Sequence, residues 1–210
     1  MASHALHLGE MRLFLSSART CGYSTRRTAP GLHNGAMDIN GTSTRSTRPA
    51  AGNWTVTAEH FGTPDATALR RAYYAEVAGR YWKRPATETE IDEGLRDDPA
   101  DGLAPPTGQF VVGRLDAAPR ACGGIRLLDP VTAELTRVYV DPRARGTGGG
   151  AALLTALEAA ARALGAERVR LDTRSDLVEA RALYARQGYR EIPPYSAGPY
   201  AEHWFEKPLA

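Results

Sequence analysis

The chain has 210 residues, 42% of them hydrophobic and 24% charged, with a formal net charge of +2. That length supports one domain with a substantial core and argues against two, and the charge is far below what a nucleic-acid binder carries. No run approaches the roughly 18 apolar residues of a membrane span, and two cysteines, Cys21 and Cys122, cannot form a disulfide framework, which points to a reducing, cytoplasmic setting.

Residues 1–52 differ in kind from the rest. Ser, Thr, Arg and Gly crowd together, as in Ser43-Thr-Arg-Ser-Thr-Arg48, and Glu10 and Asp38 are nearly alone as acids. No period of 2 or 3.6 persists, so the segment cannot bury enough apolar surface to offset its ordering entropy, and it is expected to be disordered and without chemistry. Leu13-Phe14-Leu15 is too short for a signal-peptide core. A transit-like segment and a translation start near Met37 both stay open. The folded domain is placed at residues 53–210.

Trp54-Thr-Val-Thr57 predicts a short first strand. Thr63 offers an N-cap, Pro64 suits the first helical position, and Asp65 sits beside the positive end of the helix dipole. Leu69, Tyr73, Val77 and Tyr81 recur every fourth residue and predict one buried stripe through about Arg80. Thr87-Glu-Thr-Glu90 spells a capping box for a second short helix, with Ile91 and Leu95 on one face. Asp97 to Gly108 holds three prolines and no period, and reads as a loop.

Gln109 to Leu115 and Arg120 to Leu128 predict two strands joined by a hairpin turn over Asp116-Ala-Ala-Pro119. Gly123-Gly124 marks a bulge or a close approach by another segment, and Cys122 reads as a packed strand residue. Asp129-Pro130 turns into a further strand carrying Glu134, β-rich from Leu135 to Val140, which Asp141-Pro142 stops because proline has no N–H for the ladder.

Residues 146–150 then hold four glycines, and a helix opens at Ala151-Ala152-Leu153-Leu154. Leu153, Leu154, Leu157, Ala161 and Leu164 line its buried face, and Gly165 ends it. Glu167 to Asp172 predicts a parallel strand reached by this crossover. Leu177, Ala180, Leu183, Tyr184 and Gln187 share a face of the next helix, closed by Gly188. Tyr189 to Ile192 and Tyr200 to Glu206 predict the last two strands. The fold class is α+β, a mixed, mostly antiparallel sheet of about six or seven strands with about four flanking helices.

A glycine-rich turn feeding a helix leaves backbone N–H groups unpaired beside the positive end of the dipole, a geometry that binds phosphate. Three readings compete for it. A plain helix start explains one glycine, not four. A dinucleotide fingerprint fits Gly146-Thr-Gly148-Gly-Gly-Ala151, with Asp172 ending the next strand, but too little chain follows for a doubly wound sheet.

The third is a resemblance. Arg143-Ala-Arg-Gly146-Thr-Gly148 fits R-x-x-G-x-G, and Ala180-Arg-Ala-Leu183-Tyr184-Ala-Arg-Gln-Gly188-Tyr189 fits A-x-x-L-Y-x-x-x-G-F/Y. With the strand before the loop, these resemble the GNAT N-acetyltransferase superfamily over roughly Trp54 to Leu209. The resemblance implies a strand pair that splays open to take acetyl-CoA as co-substrate, with no metal. It implies that Val138, Tyr139 and Val140 hold the acyl-pantetheine arm, while the N–H groups of Arg145, Gly146, Thr147, Gly148, Gly149 and Gly150, with Ala151 behind them, hold the pyrophosphate. Arg143 adds charge near the same anions. A backbone N–H near Val138 polarises the thioester carbonyl.

The resemblance further implies that Tyr184 gives a proton to the departing thiolate. Glu134 takes one from the amine, directly or through water, unless it merely pairs with Arg137. Two departures stand out. Gly149 replaces an apolar Ile or Val, which predicts a looser first turn, and Leu177 replaces an Asn that touches the cofactor arm. Tyr81, Trp82, Arg126, Arg174, Tyr195, Tyr200 and His203 are candidates for the acceptor side, with a small amine or amino acid as acceptor. A non-catalytic acyl-CoA sensor and a nicotinamide-dependent enzyme stay open as alternatives, as does a homodimer.

Overall fold

The computed structural model describes residues 52–97, 102–197 and 201–210. The readings of residues 1–51 and of Tyr200 therefore lie outside the described residues. In chain order the elements are β1 (Trp54–Ala58), α1 (Pro64–Trp82), α2 (Glu88–Arg96), β2 (Gly108–Leu115), β3 (Ala118–Asp129) and β4 (Thr132–Val140). A 3₁₀ turn (Pro142–Ala144), α3 (Gly149–Ala163), β5 (Arg168–Thr173), α4 (Val178–Arg186), β6 (Arg190–Ile192) and β7 (His203–Pro208) follow. The strands form one sheet in the order β1-β2-β3-β4-β5-β7-β6. Only β4 and β5 run parallel among the described pairs, so the doubly wound parallel sheet of a dinucleotide fold is not this one. No helix among the described residues is long and apolar enough to cross a membrane.

Local chemistry accounts for most boundaries. Thr63 Oγ accepts from the Ala66 N–H at 3.3 Å, with Pro64 in the first turn. At α2, the Glu90 carboxylate accepts from the Thr87 N–H while Thr87 Oγ accepts from the Glu90 N–H, a reciprocal cap. Arg84, hydrogen-bonded to Glu90, holds that carboxyl down to about 2. The predicted α1 stripe is rotated. Leu69 and Val77 are buried, but Tyr81 is 40% exposed and Tyr74 takes the inner position. The i+4 series drifts around the helix by about 40° per step, since 3.6 residues make one turn. The buried face is therefore Ala66, Leu69, Arg70, Tyr74, Val77 and Ala78. The loop before β2 also contributes Leu103, buried to 2% against Gly124, which no period in the sequence announces.

The hairpin between β2 and β3 is tighter than the sequence suggests. Leu115 pairs with Ala118, so Asp116 and Ala117 alone make the turn, both with positive φ (48° and 70°). That is the turn whose twist suits a hairpin and which normally takes glycine second. Ala117 carries a Cβ in a left-handed conformation costing about 1–2 kcal/mol. Ala117→Gly is expected to stabilise the fold by about 0.5–1 kcal/mol and raise the melting temperature by a few degrees in a thermal scan.

Two hydrophobic layers sandwich the sheet. On one face Leu153, Leu154 and Leu157 of α3 pack with Ile125, Leu135, Val169 and Leu171, joined by Tyr184 of α4. On the other, Phe61, Leu69 and Leu103 pack with Phe110, Val112, Cys122 and Tyr139. Cys122 is fully buried, and burial pushes its thiol up to about 12, an inert core residue. β4 begins at Thr132, three residues earlier than its β-rich run predicts, because the turn at Asp129–Pro130 delivers it directly into pairing. β7 begins at His203 rather than Tyr200, and it inserts between β5 and β6.

Candidate active site

β4 and β5 pair over only three positions, Thr132 with Arg168, Ala133 with Val169 and Glu134 with Arg170. Beyond Glu134 they part. β4 runs on to Val140 and β5 to Thr173, with no described strand between them. The cause is visible in β4. Cys122 faces Tyr139 and Gly124 faces Thr136, so Arg137 and Val138 together oppose Gly123, and Arg137 has φ +54°. An extra residue in one strand bends it and sharpens its twist. The predicted bulge at Gly123–Gly124 is therefore real, but the inserted residue belongs to β4. Gly123 also allows a close approach, since a Cβ there would lie 2.8 Å from Leu157 of α3.

Past the bulge, Tyr139 turns its ring toward α1, while Val138 and Val140 pack on the α3 side. Burial raises the Tyr139 phenol to about 12. The edge of β4 that faces β5 from Leu135 onward is left without a partner strand among the described residues. An amide-bearing chain can add there as a strand would.

At the end of β4, Asp141 accepts from the Arg143 N–H at 2.9 Å and pairs with Arg120 and Arg143. Arg143 first, then its N–H and Arg120, hold the Asp141 carboxyl well below the usual range, against burial. The Arg143 side chain, expected near the anions, is instead bound back through Nε and Nη2 to Asp141 and is 77% exposed. The Arg145 N–H, expected in the phosphate set, donates to the Pro142 carbonyl at 3.3 Å. Its guanidinium caps the Val140 carbonyl and pairs with Glu76 of α1.

From Gly146 the picture changes. Gly146 and Gly148 adopt φ of 81° and 99°, a conformation in which a side chain is strained, and the position of a Cβ on Gly148 is open space. The N–H groups of Gly146, Thr147, Gly148, Gly149, Gly150 and Ala151 find no acceptor among the described residues. They stand at the positive end of α3, which has no side-chain cap. The turn itself is not loose. Trp54 Nε1–H donates to Thr147 Oγ at 3.0 Å, Thr147 Oγ–H donates to the Ala144 carbonyl at 2.8 Å, and the Gly52 N–H donates to the Thr147 carbonyl at 3.2 Å. A Cβ on Gly149 would lie 2.3 Å from the Trp54 ring, so the indole fills the place where the looser turn was expected.

The crotch of the fork holds acids. Glu134, buried to 6%, accepts from Arg126 Nε at 2.9 Å and Nη2 at 2.6 Å, and from the Tyr195 hydroxyl at 3.2 Å. Its ion-pair partner is thus Arg126, not Arg137. Two residues past the last paired position of β5 stands Asp172, whose Oδ2 accepts from Ser196 Oγ at 3.3 Å, itself an acceptor from Trp204 Nε1 at 2.9 Å. Burial first, and the Glu134 charge second, raise Asp172 to about 6. The sequence offers Asp172 only as a dinucleotide feature. Its even spacing with Arg168 and Arg170 on a strand where Val169 and Leu171 point to the core was the available signal.

Tyr184 is 6% exposed, edge-on to Tyr189 at 5.8 Å and tilted against Phe205 at 6.0 Å. Its phenol is raised well above its ordinary value by burial, then by Tyr73 of α1 and Asp172 of β5. The hydroxyl makes no hydrogen bond within the described residues. Glu134, Asp172, Tyr184, Arg126 and Tyr195 thus gather at the fork. Other acceptor-side candidates do not. Arg174 is buried, bonded to Asp176 and to the Val77 carbonyl, and His203 bridges Glu191 and Ser175.

Leu177 and Gln187, predicted within a helical face, are instead the two caps of α4. Leu177 gives no side-chain hydrogen bond at its N-terminus. Leu177→Asn is expected to add a cap worth about 1 kcal/mol, read as a higher denaturation midpoint.

Comparison with known proteins places this architecture. Residues 70–189 match the family model described as acetyltransferase (GNAT) family. An "IAA acetyltransferase" of Azospirillum brasilense is 35% identical over 112 residues, spanning 51% of this chain and 72% of that protein. A proposed acyl-CoA N-acyltransferase from Klebsiella pneumoniae shares 30% identity, covers 75% of this chain and 99% of its own, and superposes with a TM-score of 0.56. A GNAT acetyltransferase from Elizabethkingia anophelis, crystallised with acetyl-CoA bound, shares the fold at 17% identity, with a TM-score of 0.51 and coverage of 75% and 99%. With its forked β4–β5 pair and glycine turn, the chain belongs to the GNAT acetyltransferase family.

Proposed function

We propose that this protein transfers the acetyl group of acetyl-CoA to a primary amine of a small molecule or amino acid by direct attack. The observation that carries this reading is the fork. Three paired positions give way to a strand edge that, among the described residues, has no partner and ends at a turn with six N–H groups lacking an acceptor. The residues present fit the group. The N–H groups from Gly146 to Ala151 suit a diphosphate, and the free edge of β4 suits an amide-bearing arm. Bound acetyl-CoA supplies the acetyl as a thioester.

The chain's own residues do the rest. The β4 backbone near Val138 polarises the carbonyl by hydrogen bonding. The amine nitrogen bonds to the carbonyl carbon as the carbon–sulfur bond breaks. Tyr184, kept neutral by burial, hydrogen-bonds the departing sulfur and passes it a proton, and the proton released by the amine then restores the phenol. One proton leaves the amine, and two carboxylates compete for it. Glu134 is occupied by Arg126 and Tyr195, whereas Asp172, raised to about 6, combines basicity with ionisation at neutral pH. We assign the proton to Asp172, with Glu134 fixing the negative field beside it. Holding both reactants supplies proximity without a covalent acyl-enzyme. An amine acceptor accords with the aminoglycoside 6'-N-acetyltransferase found among the structural neighbours.

The test is a thermal-shift titration with acetyl-CoA, CoA and NADPH, followed by thiol release across an amine panel. Acetyl-CoA and CoA are expected to stabilise the protein and NADPH to leave it unchanged. Stabilisation by NADPH alone would overturn the reading. CoA binding with no turnover on any amine would leave an acyl-CoA sensor.

A further inference from the structure

Trp54 opens β1, far in sequence from the glycine turn, and yet makes two independent contacts with it. Its Nε1–H donates to Thr147 Oγ at 3.0 Å, and its ring covers the Cα of Gly149 so closely that a Cβ there would fall 2.3–2.7 Å from three ring carbons. The hydroxyl it meets is itself fixed, because Thr147 passes its own proton to the Ala144 carbonyl at 2.8 Å. The strand lead-in adds a third tie through the Gly52 N–H and the Thr147 carbonyl at 3.2 Å. Thr147 lies between two glycines of positive φ, the most permissive backbone in the turn.

We propose that Trp54 is a positioning residue for the diphosphate turn: it holds Thr147 and Gly149 so that the N–H groups from Gly146 to Ala151 already point outward before a ligand arrives. Preorganisation of this kind lowers the ordering cost of binding. Gly149 and Trp54 are one device, since the missing side chain on α3 is the space the indole occupies. The proposal rests on the acetyl-CoA reading above.

The experiment measures KM for acetyl-CoA and kcat, with direct CoA titration followed by tryptophan emission. Trp54→Phe keeps an aromatic ring but loses the donor, and is expected to raise KM about threefold to tenfold with kcat within twofold. Thr147→Val, which keeps the N–H and removes the relay, should raise KM in the same direction. Gly149→Val alone collides with the indole and should weaken CoA binding more than tenfold, whereas Trp54→Ala with Gly149→Val should recover most of that loss, a non-additivity that two unrelated defects would not show. CoA should change the emission of the wild type, and this change should be smaller in Trp54→Phe, where Trp204 at the fork supplies what remains.

Unchanged KM in Trp54→Phe and Thr147→Val, or additive losses in the double variant, would overturn the proposal while leaving wild-type CoA binding, and so the functional reading, intact. Failure of the wild type to bind CoA at all would remove both.

Discussion

Tyr184→Phe is expected to lower kcat about 100-fold, with the affinity for acetyl-CoA and the melting temperature close to those of the wild type. The argument starts from what the hydroxyl does not do. It bonds no described residue, and the ring, which Phe reproduces, makes the contacts with Tyr189 and Phe205. Removing the oxygen therefore leaves no orphaned partner and no cavity of consequence, so the fold loses little. Catalysis loses the group proposed to protonate the departing sulfur. Burial keeps this phenol protonated throughout the working pH range, so it acts as a donor and never as a resident anion. Single-turnover thiol release against steady-state CoA titration separates the two effects. A Phe variant that releases thiol at the wild-type rate would remove Tyr184 from the chemistry and leave it as a core aromatic.

The legibility of this molecule in its sequence follows the range of the interactions involved. Features set by neighbours three or four residues apart read directly: the cap at Thr63, the reciprocal cap of Thr87 and Glu90, the stripe of Leu153, Leu154 and Leu157, and the glycine that ends α3. The turn from Gly146 was legible because positive φ and unpaired donors are backbone properties that glycine reports. The fork was legible only through resemblance. Which strand carries the extra residue depends on the register of β3 against β4, and nothing local to Arg137 announces φ +54°.

Side-chain roles were read least well where partners are distant in sequence. Arg143 is the exception: it looked like a free cation near the phosphate turn, yet Asp141, only two residues away, binds it first. Glu134 finds Arg126 across a β3–β4 pairing, and Tyr195 arrives from 61 positions further on. Trp54 meets Thr147 at a separation of 93. No pattern within a helical or strand period could show either contact.

Asp172→Asn is expected to separate activity from stability, losing the first and gaining the second. Asp172 is enclosed by Glu134 of β4, Arg126 of β3, Tyr195 and Ser196 of the β6–β7 connection, Trp204 of β7 and Tyr184 of α4. The net effect raises its carboxyl to about 6, against an ordinary aspartate near 3.9. The sign for stability follows. Between about pH 4 and 6 the folded chain holds a proton that the unfolded chain has released, so this residue makes stability fall as pH rises through that window and remain lower above it. The ceiling is about 3 kcal/mol, reduced by the partial exposure of the group. Asparagine has no such charge and still accepts from Ser196, so the variant should melt higher than the wild type at pH 8 and the two should converge near pH 4. Activity should move oppositely. The acid limb of kcat/KM near pH 6 should vanish, with turnover at pH 7.5 down about 100-fold. Glu134→Gln should keep that limb but shift it to lower pH, since the Glu134 charge no longer raises Asp172, while losing stability through the unpaired Arg126. If instead the limb survives in Asp172→Asn and disappears in Glu134→Gln, the proton belongs to Glu134, and the raised acid at the fork is a cost of the fold rather than part of its chemistry.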